Sequence, residues 1–313
     1  MVRRALGTLV ALIAVSVALL AAWLHDVRGW HPAIAALAAA CVPVLVDAAI
    51  LGQQFAITAW LRRRSRPDLA FGATAALRAW VGEIVASLRT FLYAQVRYAA
   101  QPLPSGNDRE RMPVLLVHGY VCNRGIWRPF ARWLAARGHA VDSVNLEPVF
   151  ASIDDDVSIV AAGVDRLRAR TGAPRVALVA HSMGGLVVRA FLAAGGHQAA
   201  AAAITFGTPH RGTWMARFGL GPNIAQMRPD SDWLRARAAR EAATARLTPF
   251  TVVLSHHDNM VAPQSIQTLE GACTIEVAGL GHVALAYDRA VWSHAAGAID
   301  AATAQSREPT LGT

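Results

Sequence analysis

The stretch from Pro174 to Gly196 constrains the fold of this chain more than any other. It opens with a short apolar run, residues 176–180, of the kind that a buried parallel strand shows. It continues with a helical pattern over residues 186–194, which two glycines end. A single serine, Ser182, lies at the corner between them, within Ala-His-Ser-Met-Gly at 180–184. This order predicts a sharp turn that projects the serine hydroxyl from the edge of a sheet.

The residues around Ser182 have the sizes that a nucleophile elbow requires. The positions two before and two after the serine must be small where strand and helix cross, and they are Ala180 and Gly184. The backbone N–H of Met183 begins the helix and would point to where an oxyanion forms. We therefore predict that Ser182 is a nucleophile and that Met183 supplies one oxyanion-binding N–H.

Strand and helix patterns alternate after Pro113, which indicates a parallel sheet with right-handed crossovers. The expected strands are 114–117, 140–144, 176–180, 203–206, 251–254 and 274–277. The expected helices are 125–137, 152–170, 186–194 and 285–302. The predicted fold class is therefore α/β, with a central parallel sheet of about six strands flanked by helices.

A serine nucleophile needs a base, and the base needs an acid that orients it. Asp258 follows the fifth expected strand and His282 follows the sixth, which gives the order nucleophile, acid, histidine. Loops at the carboxyl ends of parallel strands are where such sheets place functional groups. The first strand ends in His118-Gly119-Tyr120, so the N–H of Tyr120 would complete an oxyanion hole, and His118 is expected to be structural.

Other histidines and acids fit these roles less well. His256 and His257 adjoin Asp258 but precede it, and His294 lies within an expected helix. The aspartates at 154–156 lie upstream of Ser182 and are more simply read as a cluster at a helix N-terminus.

Two long apolar runs occupy the N-terminal region. Residues 5–24 are uncharged and long enough to cross a bilayer, although a cleavable signal peptide is the alternative. Residues 33–60 form the second run, and arginines that should stay cytoplasmic follow it between 62 and 66. We expect a transmembrane helical hairpin with both ends and the rest of the chain in the cytoplasm, unless the second run packs on the catalytic part instead.

The charge distribution supports a membrane surface rather than nucleic acid. All 30 basic residues are arginine, and the net charge is +9. Residues 1–101 hold ten arginines and four acids (+6), whereas residues 102–313 hold twenty and seventeen (+3). No basic stripe interleaved with aromatics is present in the catalytic part, so nucleic-acid binding is not expected. The three cysteines are expected to be free thiols, although Cys122 and Cys273 could pair.

We divide the chain into three parts. Residues 1–66 are the membrane region, 67–111 hold an amphipathic helix and a linker, and 112–313 form the catalytic domain. The amphipathic stripe over 74–99 fits either the membrane interface or the surface of the catalytic domain.

Five motifs follow one another in the catalytic part: LLVHGY (115–120), AHSMGG (180–185), FGTPHRGT (206–213), DNMVAP (258–263) and GHV (281–283). Over about residues 112–300 this ordered set resembles the bacterial triacylglycerol lipase and esterase family of α/β-hydrolases. The resemblance implies the α/β-hydrolase fold, hydrolysis of carboxylic esters, and a lid insertion at about 213–247. Trp214, Met215 and Phe218 would then contact the substrate's acyl chain, although an ordinary helical insertion is the alternative.

The sequence predicts a membrane-anchored serine ester hydrolase that works through Ser182, Asp258, His282 and an acyl-enzyme. Its expected location is the cytoplasmic membrane, with the catalytic domain in the cytoplasm. Its expected partners are an ester or lipid substrate and the membrane. No cofactor or metal is expected, because no aspartate stands two residues after His282, where the family resemblance would place a calcium ligand. The alternatives are an acyltransferase that uses the same residues and a non-catalytic membrane protein that retains the fold.

Overall fold

The computed structural model describes residues 1–69, 71–242 and 247–307. Residues 243–246 of the predicted 213–247 insertion, and residues 308–313 of the predicted catalytic domain, lie outside the described residues.

Six parallel strands form one sheet in the order β2-β1-β3-β4-β5-β6 within the described part of the chain. The strands are β1 (Val114–Val117), β2 (Val141–Ser143), β3 (Val176–His181), β4 (Ala200–Phe206), β5 (Phe250–Ser255) and β6 (Cys273–Val277). The catalytic-part helices are α5 (Arg128–Ala135), α6 (Val157–Thr171), α7 (Met183–Ala193), α8 (Pro222–Gln226), α9 (Asp232–Ala242) and α10 (Arg289–Arg307). The N-terminal helices are α1 (Val2–Asp26), α2 (Pro32–Ser65), α3 (Ala73–Leu88) and α4 (Gln95–Tyr98), with a π-helical turn, Arg89–Ala94, between the last two. The predicted α/β class and the six-stranded parallel sheet are confirmed.

Hydrophobic layers cover both faces of the sheet, as a parallel sheet requires. Helices α6 and α7 pack on one face around a buried cluster that includes Val160, Leu167 and Leu186. Helices α5 and α10 pack on the other face, where the aromatic rings of Phe130 and Trp292 are 5.5 Å apart. The two layers fix the strand ends and so fix the loops that leave their carboxyl ends.

Several element boundaries differ from the predicted ones, each for a local reason. The predicted helix from residue 152 begins only at Val157, because Ser152 and Ile153 hydrogen-bond Gln226 of α8 instead of joining the helix. The predicted helix 125–137 is a 3-10 turn followed by α5, with Pro129 in its first turn. Strand β4 begins at Ala200 rather than 203 because full burial outweighs the weak strand preference of alanine.

Helices α1 and α2 are long and apolar enough to cross a membrane, with mean hydropathies of 2.5 and 2.4 in their most apolar stretches. Only 6% and 17% of the residues in these stretches are buried, so neither helix is a core helix of the folded domain. The two helices pack on each other as a hairpin. The start of α1 packs on the catalytic part, where Val2 and Leu6 contact Val149.

Helix α3 packs on α2 and on the catalytic part at once. The Trp80 indole donates to the carbonyl of Ala48 in α2 (2.9 Å), and Ser87 donates to Asp47 in α2 (3.0 Å). On its other side, the α3 residue Glu83 is fully buried and accepts two backbone hydrogen bonds from residues 283 and 284. Of the two interpretations of the 74–99 stripe, the structure therefore shows packing on the catalytic domain, with α2 covering part of the remainder.

Candidate active site

Ser182 occupies the corner between β3 and α7 in a strained backbone conformation, with φ 55° and ψ −131°. Two hydrogen bonds hold it there: its N–H donates to the carbonyl of Phe206 (2.9 Å), and Thr208 donates to its carbonyl (2.9 Å). A side chain at Gly184 would collide with the backbone carbonyls of Val117 and His118, so only glycine fits where helix and strand cross. The turn has the geometry that the sequence predicts.

A hydrogen-bonded chain of three side chains leads away from the serine hydroxyl. His282 Nε2 is 2.9 Å from Ser182 Oγ, and His282 Nδ1 is 2.9 Å from Asp258 Oδ2. The other oxygen of Asp258 accepts the backbone N–H groups of Met260 and Val261, each at 2.8 Å. The structure thus brings together the three residues that were predicted as nucleophile, base and acid.

Burial and charge act in opposite directions on His282. Burial lowers its pKa, but the Asp258 carboxylate and, more weakly, Glu83 raise it, and the pKa lies above its ordinary value. Burial, with the neighbouring His282, lowers the pKa of His181 to about 3, so His181 is neutral at pH 7. His181 Nε2 lies 2.9 Å from the carbonyl oxygen of His282 and donates to it, which helps to fix the backbone of the base.

His118 has a structural role beside the site, as predicted. Its Nδ1–H donates to the carbonyl of Gly119 (2.9 Å), and its Nε2 accepts the N–H of Leu146 (3.0 Å). Burial lowers the pKa of His118 to about 4, which keeps the ring in this neutral form at pH 7. A Cβ on Gly119 would lie 2.7 Å from Ser182 Cβ, so the loop passes directly over the serine. Tyr120, predicted for the oxyanion hole, follows on this loop, and its phenol donates to the carbonyl of Leu220 (2.9 Å).

The alternative histidines are engaged elsewhere. His256 is paired with Glu276 (2.7 Å), and His257 Nδ1 accepts the N–H of Gly279 (3.0 Å). His294 lies in α10. Among the described residues, no group of three or more His, Cys, Asp or Glu is placed to hold a metal ion.

Sequence reasoning did not identify three residues that help to hold His282: Glu83 of α3, Gln54 of α2, and Asn259 beside Asp258. Glu83 of α3 accepts the N–H groups of Val283 (2.8 Å) and Ala284 (2.9 Å), directly after the histidine. Asn259 accepts the N–H of His282 itself (2.9 Å) and donates to Gln54 of α2 (2.7 Å). In the sequence, Glu83 stands out only as a single acid within the apolar helical stripe over residues 74–99. That pattern does not predict which backbone groups its carboxylate binds.

A cavity of about 1030 Å³ opens above Ser182 and His282. Met215 and Phe218, two of the three predicted substrate contacts, line it, together with Ile224 of α8. The third, Trp214, is not among the described lining residues; its ring packs edge-on against Phe218 with centroids 5.2 Å apart. The contact of Trp214 with a substrate therefore stays a prediction.

Comparison with known proteins agrees with this geometry. Residues 112–222 match the family described as alpha/beta hydrolase fold. A triacylglycerol lipase of Burkholderia plantarii is 37% identical over 137 residues, which cover 40% of this chain and 38% of that protein. One of Pseudarthrobacter phenanthrenivorans is 37% identical over 117 residues, covering 34% of this chain and 36% of that protein. The chain therefore matches less than two fifths of the length of these relatives.

Two solved structures share the fold. The mature Bacillus licheniformis lipase BlEst2 aligns with a TM-score of 0.57 at 15% identity, over 64% of this chain and 97% of that one. Aspergillus fumigatus lipase B aligns with a TM-score of 0.56 at 19% identity, over 62% of this chain and 54% of that one. The sheet order, the corner serine and these matches define an α/β-hydrolase domain. Over the part that they match, the chain is similar to these two bacterial triacylglycerol lipases.

Proposed function

We propose that this protein is a membrane-anchored serine carboxylic ester hydrolase. The observation that carries the proposal is the hydrogen-bonded chain Ser182–His282–Asp258, raised on a strained corner at the floor of an apolar cavity. A hydroxyl, an imidazole and a buried carboxylate in this order are the parts that acyl transfer through a covalent intermediate needs.

The chemistry follows from the atoms in contact. His282 Nε2 takes the proton of Ser182 Oγ as that oxygen attacks the ester carbonyl. The N–H groups of Met183 and Tyr120 receive the oxyanion, and loss of one such donor typically costs about 10²–10³ in rate. Asp258 holds the imidazole with Nδ1 protonated and stabilises the cation. The protonated His282 then gives its proton to the leaving alcohol, and water, activated by the same base, releases the acid.

Membrane anchoring is part of the proposal. Helices α1 and α2 are apolar, and only 6% and 17% of the residues in their most apolar stretches are buried, so a bilayer would cover a surface that water would otherwise contact. Both the start of α1 and the end of α2 contact the catalytic part, which suits a hairpin whose two ends lie on one side of a membrane. The arginines at 62–64 favour the cytoplasmic side.

Ser182→Ala tests the proposal. We expect hydrolysis of p-nitrophenyl butyrate by the detergent-solubilised protein to fall by at least about 10³-fold, with loss of labelling by a fluorophosphonate probe. The matched control is Ser293→Ala on the exposed surface of α10, which should leave both unchanged. A Ser182→Ala protein that hydrolyses the ester as well as the parent would refute the proposal. Product analysis with added alcohols would reveal acyl transfer in place of hydrolysis.

A further inference from the structure

The cavity above Ser182 is built from two parts of the chain. Its floor comes from the catalytic domain, including Gly119, Ser182 and His282. Its walls are formed by α1 and α2 and, between residues 83 and 92, by α3 and the π-helical turn that follows it. The cavity is therefore continuous from the serine hydroxyl to the surface of the hairpin.

The hairpin walls are elongated. Six α1 residues line the cavity at spacings of three and four, namely Leu9, Leu12, Ile13, Ser16, Val17 and Leu20. Eight residues of α2 do so at the same spacing, between Ala39 and Gln54. With a rise of 1.5 Å per residue, the lined faces are about 16 Å long on α1 and about 22 Å long on α2. We call this space between the two faces the hairpin trough.

Gln54 shows where the trough lies relative to the catalytic base, His282. Its side chain bonds Asn259, which in turn holds the backbone N–H of His282. Gln54 therefore lies at the level of the catalytic base, and the α2 residues from 51 back to 39 lie progressively farther from it. The lined length exceeds the ~15 Å that one leaflet of a ~30 Å hydrocarbon core supplies for a lipid chain.

The trough is open along its side. Its lining residues Leu12, Val46 and Ile50 are 60%, 52% and 51% exposed although they face the cavity. If the hairpin spans a bilayer, hydrocarbon surrounds this opening, and a lipid chain can slide into the trough without crossing water. A water-soluble short ester would leave most of this apolar space unfilled.

We propose that the hairpin trough binds the acyl chain of the substrate, so that the substrate is a long-chain lipid ester taken laterally from the surrounding bilayer. The inference rests on the proposed function, because it places the ester carbonyl at Ser182. It assigns to the N-terminal hairpin a substrate-binding role besides anchoring. It also predicts where each end of the chain lies: the carbonyl at the serine and the methyl end between α1 and α2.

A reactive lipid analogue tests the position of the chain. We would use a hexadecyl fluorophosphonate with a diazirine at the end of the chain, on the full-length protein in nanodiscs. Ser182 Oγ displaces fluoride from phosphorus, and illumination then joins the chain end to its neighbours. We expect the long probe to give cross-linked peptides from residues 9–20 and 39–50, which a four-carbon analogue should not reach. Cross-links of the long probe confined to residues 213–227 would overturn the inference.

The same experiment separates the two proposals. Labelling of Ser182 by either probe, absent in Ser182→Ala, reports the nucleophile alone. If Ser182 is not labelled, the proposed function fails. If Ser182 is labelled but the chain end is found away from the hairpin, only the trough assignment fails.

Matched tryptophan variants supply a second measurement. Val46→Trp on the trough face should lower the ratio of kcat/KM for a sixteen-carbon ester to that for a four-carbon ester by at least tenfold. Leu45→Trp, one residue away, 66% exposed and outside the described trough lining, should leave the ratio at the parent value. Leu12→Trp and Leu19→Trp repeat the comparison on α1. An unaltered ratio in both Val46→Trp and Leu12→Trp would contradict the inference.

Discussion

The corner residue Ser182 shows how a strained conformation is kept. A non-glycine residue at φ 55° and ψ −131° costs of order 1–3 kcal/mol. The hydrogen bonds from the Ser182 N–H and to its carbonyl, together with the close crossing at Gly184, leave the chain no relaxed alternative. The strain places the hydroxyl where His282 can reach it.

Gly184→Ala tests this dependence. The added methyl group would meet the carbonyls of Val117 and His118, so we expect a loss of about 1–3 kcal/mol in unfolding free energy and loss of fluorophosphonate labelling. Gly297→Ala in α10 is the control, because nothing lies within 4 Å of its added carbon and alanine favours helix by about 0.5–1 kcal/mol. Thermal unfolding in detergent measures both. Normal labelling of Gly184→Ala would show that the crossing is not tight.

Glu83 is a positioning residue whose effect on His282 is electrostatic as well as structural. Burial raises the pKa of Glu83 to about 7, and its ionised form helps to raise the pKa of His282. Because the base works when neutral, activity should rise with pH through the His282 pKa. In Glu83→Gln the charge is gone, so the acid limb of the kcat/KM profile should move to lower pH.

The pH profile of p-nitrophenyl butyrate hydrolysis by Glu83→Gln, with Glu276→Gln as control, measures this shift. Glu276 is half-exposed and pairs with His256, which has no part in the proposed mechanism, so its variant should keep the parent limb. A purely structural role for Glu83 would lower the rate at every pH and leave the limb where it was.

At the scale of elements, the predicted 213–247 insertion has two differently held parts. The first part carries Met215 and Phe218 at the cavity, and Phe218 is 68% exposed. The second part, α9, is anchored, because buried Arg189 binds both carboxylate oxygens of Glu241 at 3.1 and 2.8 Å. We therefore expect lid movement, if it accompanies catalysis, to be confined to the first part.

Glu241→Gln tests the anchoring of α9. The Arg189 side chain is only 3% exposed, and this substitution removes the carboxylate that pairs with its charge. We therefore expect a loss of about 3 kcal/mol in stability. The ratio of long-chain to short-chain activity should stay within twofold of the parent. Asp232→Asn removes the exposed ion pair with Arg235 on the same helix and should change stability by no more than about 0.5 kcal/mol. Equal unfolding temperatures for both variants would argue against the anchor.

At the scale of the whole molecule, the N-terminal helices and the catalytic domain meet at the active site. The N-terminal ammonium of Met1 pairs with Glu147 (2.6 Å), and Arg62 in the last turn of α2 donates to the carbonyl of His256 (2.7 Å). The last part of α2 thus packs on the catalytic part, where Gln54 also bonds Asn259, whereas most of the apolar stretch earlier in the helix is not buried. A membrane span over that stretch stays a proposal.

The orientation of the whole molecule can be measured on its own cysteines. Cys273 is exposed on the catalytic domain, Cys122 is buried, and Cys41 lies in α2. A membrane-impermeant maleimide should label Cys273 in inverted vesicles and not in right-side-out vesicles, and Cys273→Ser should abolish the signal. Labelling in intact right-side-out vesicles would place the catalytic domain on the outer side.

Local sequence determined the α/β alternation, the elbow at Ser182, the two apolar helices and the order of Ser182, Asp258 and His282. The alternation, the elbow and the apolar helices each depend on residues near one another in the chain, where size, hydropathy and spacing suffice to predict structure. The order of the three site residues was predicted from the strand that each one follows. The late start of α6 depends on the bond between Ile153 and Gln226, and Glu83 bonds the N–H groups of residues 283 and 284, about 200 positions away. The trough joins α1 and α2 to Ser182 and His282, which lie far from both helices in the sequence. Only the tertiary structure decided these features, because the role of a buried carboxylate or an open apolar face depends on the groups that folding places next to it.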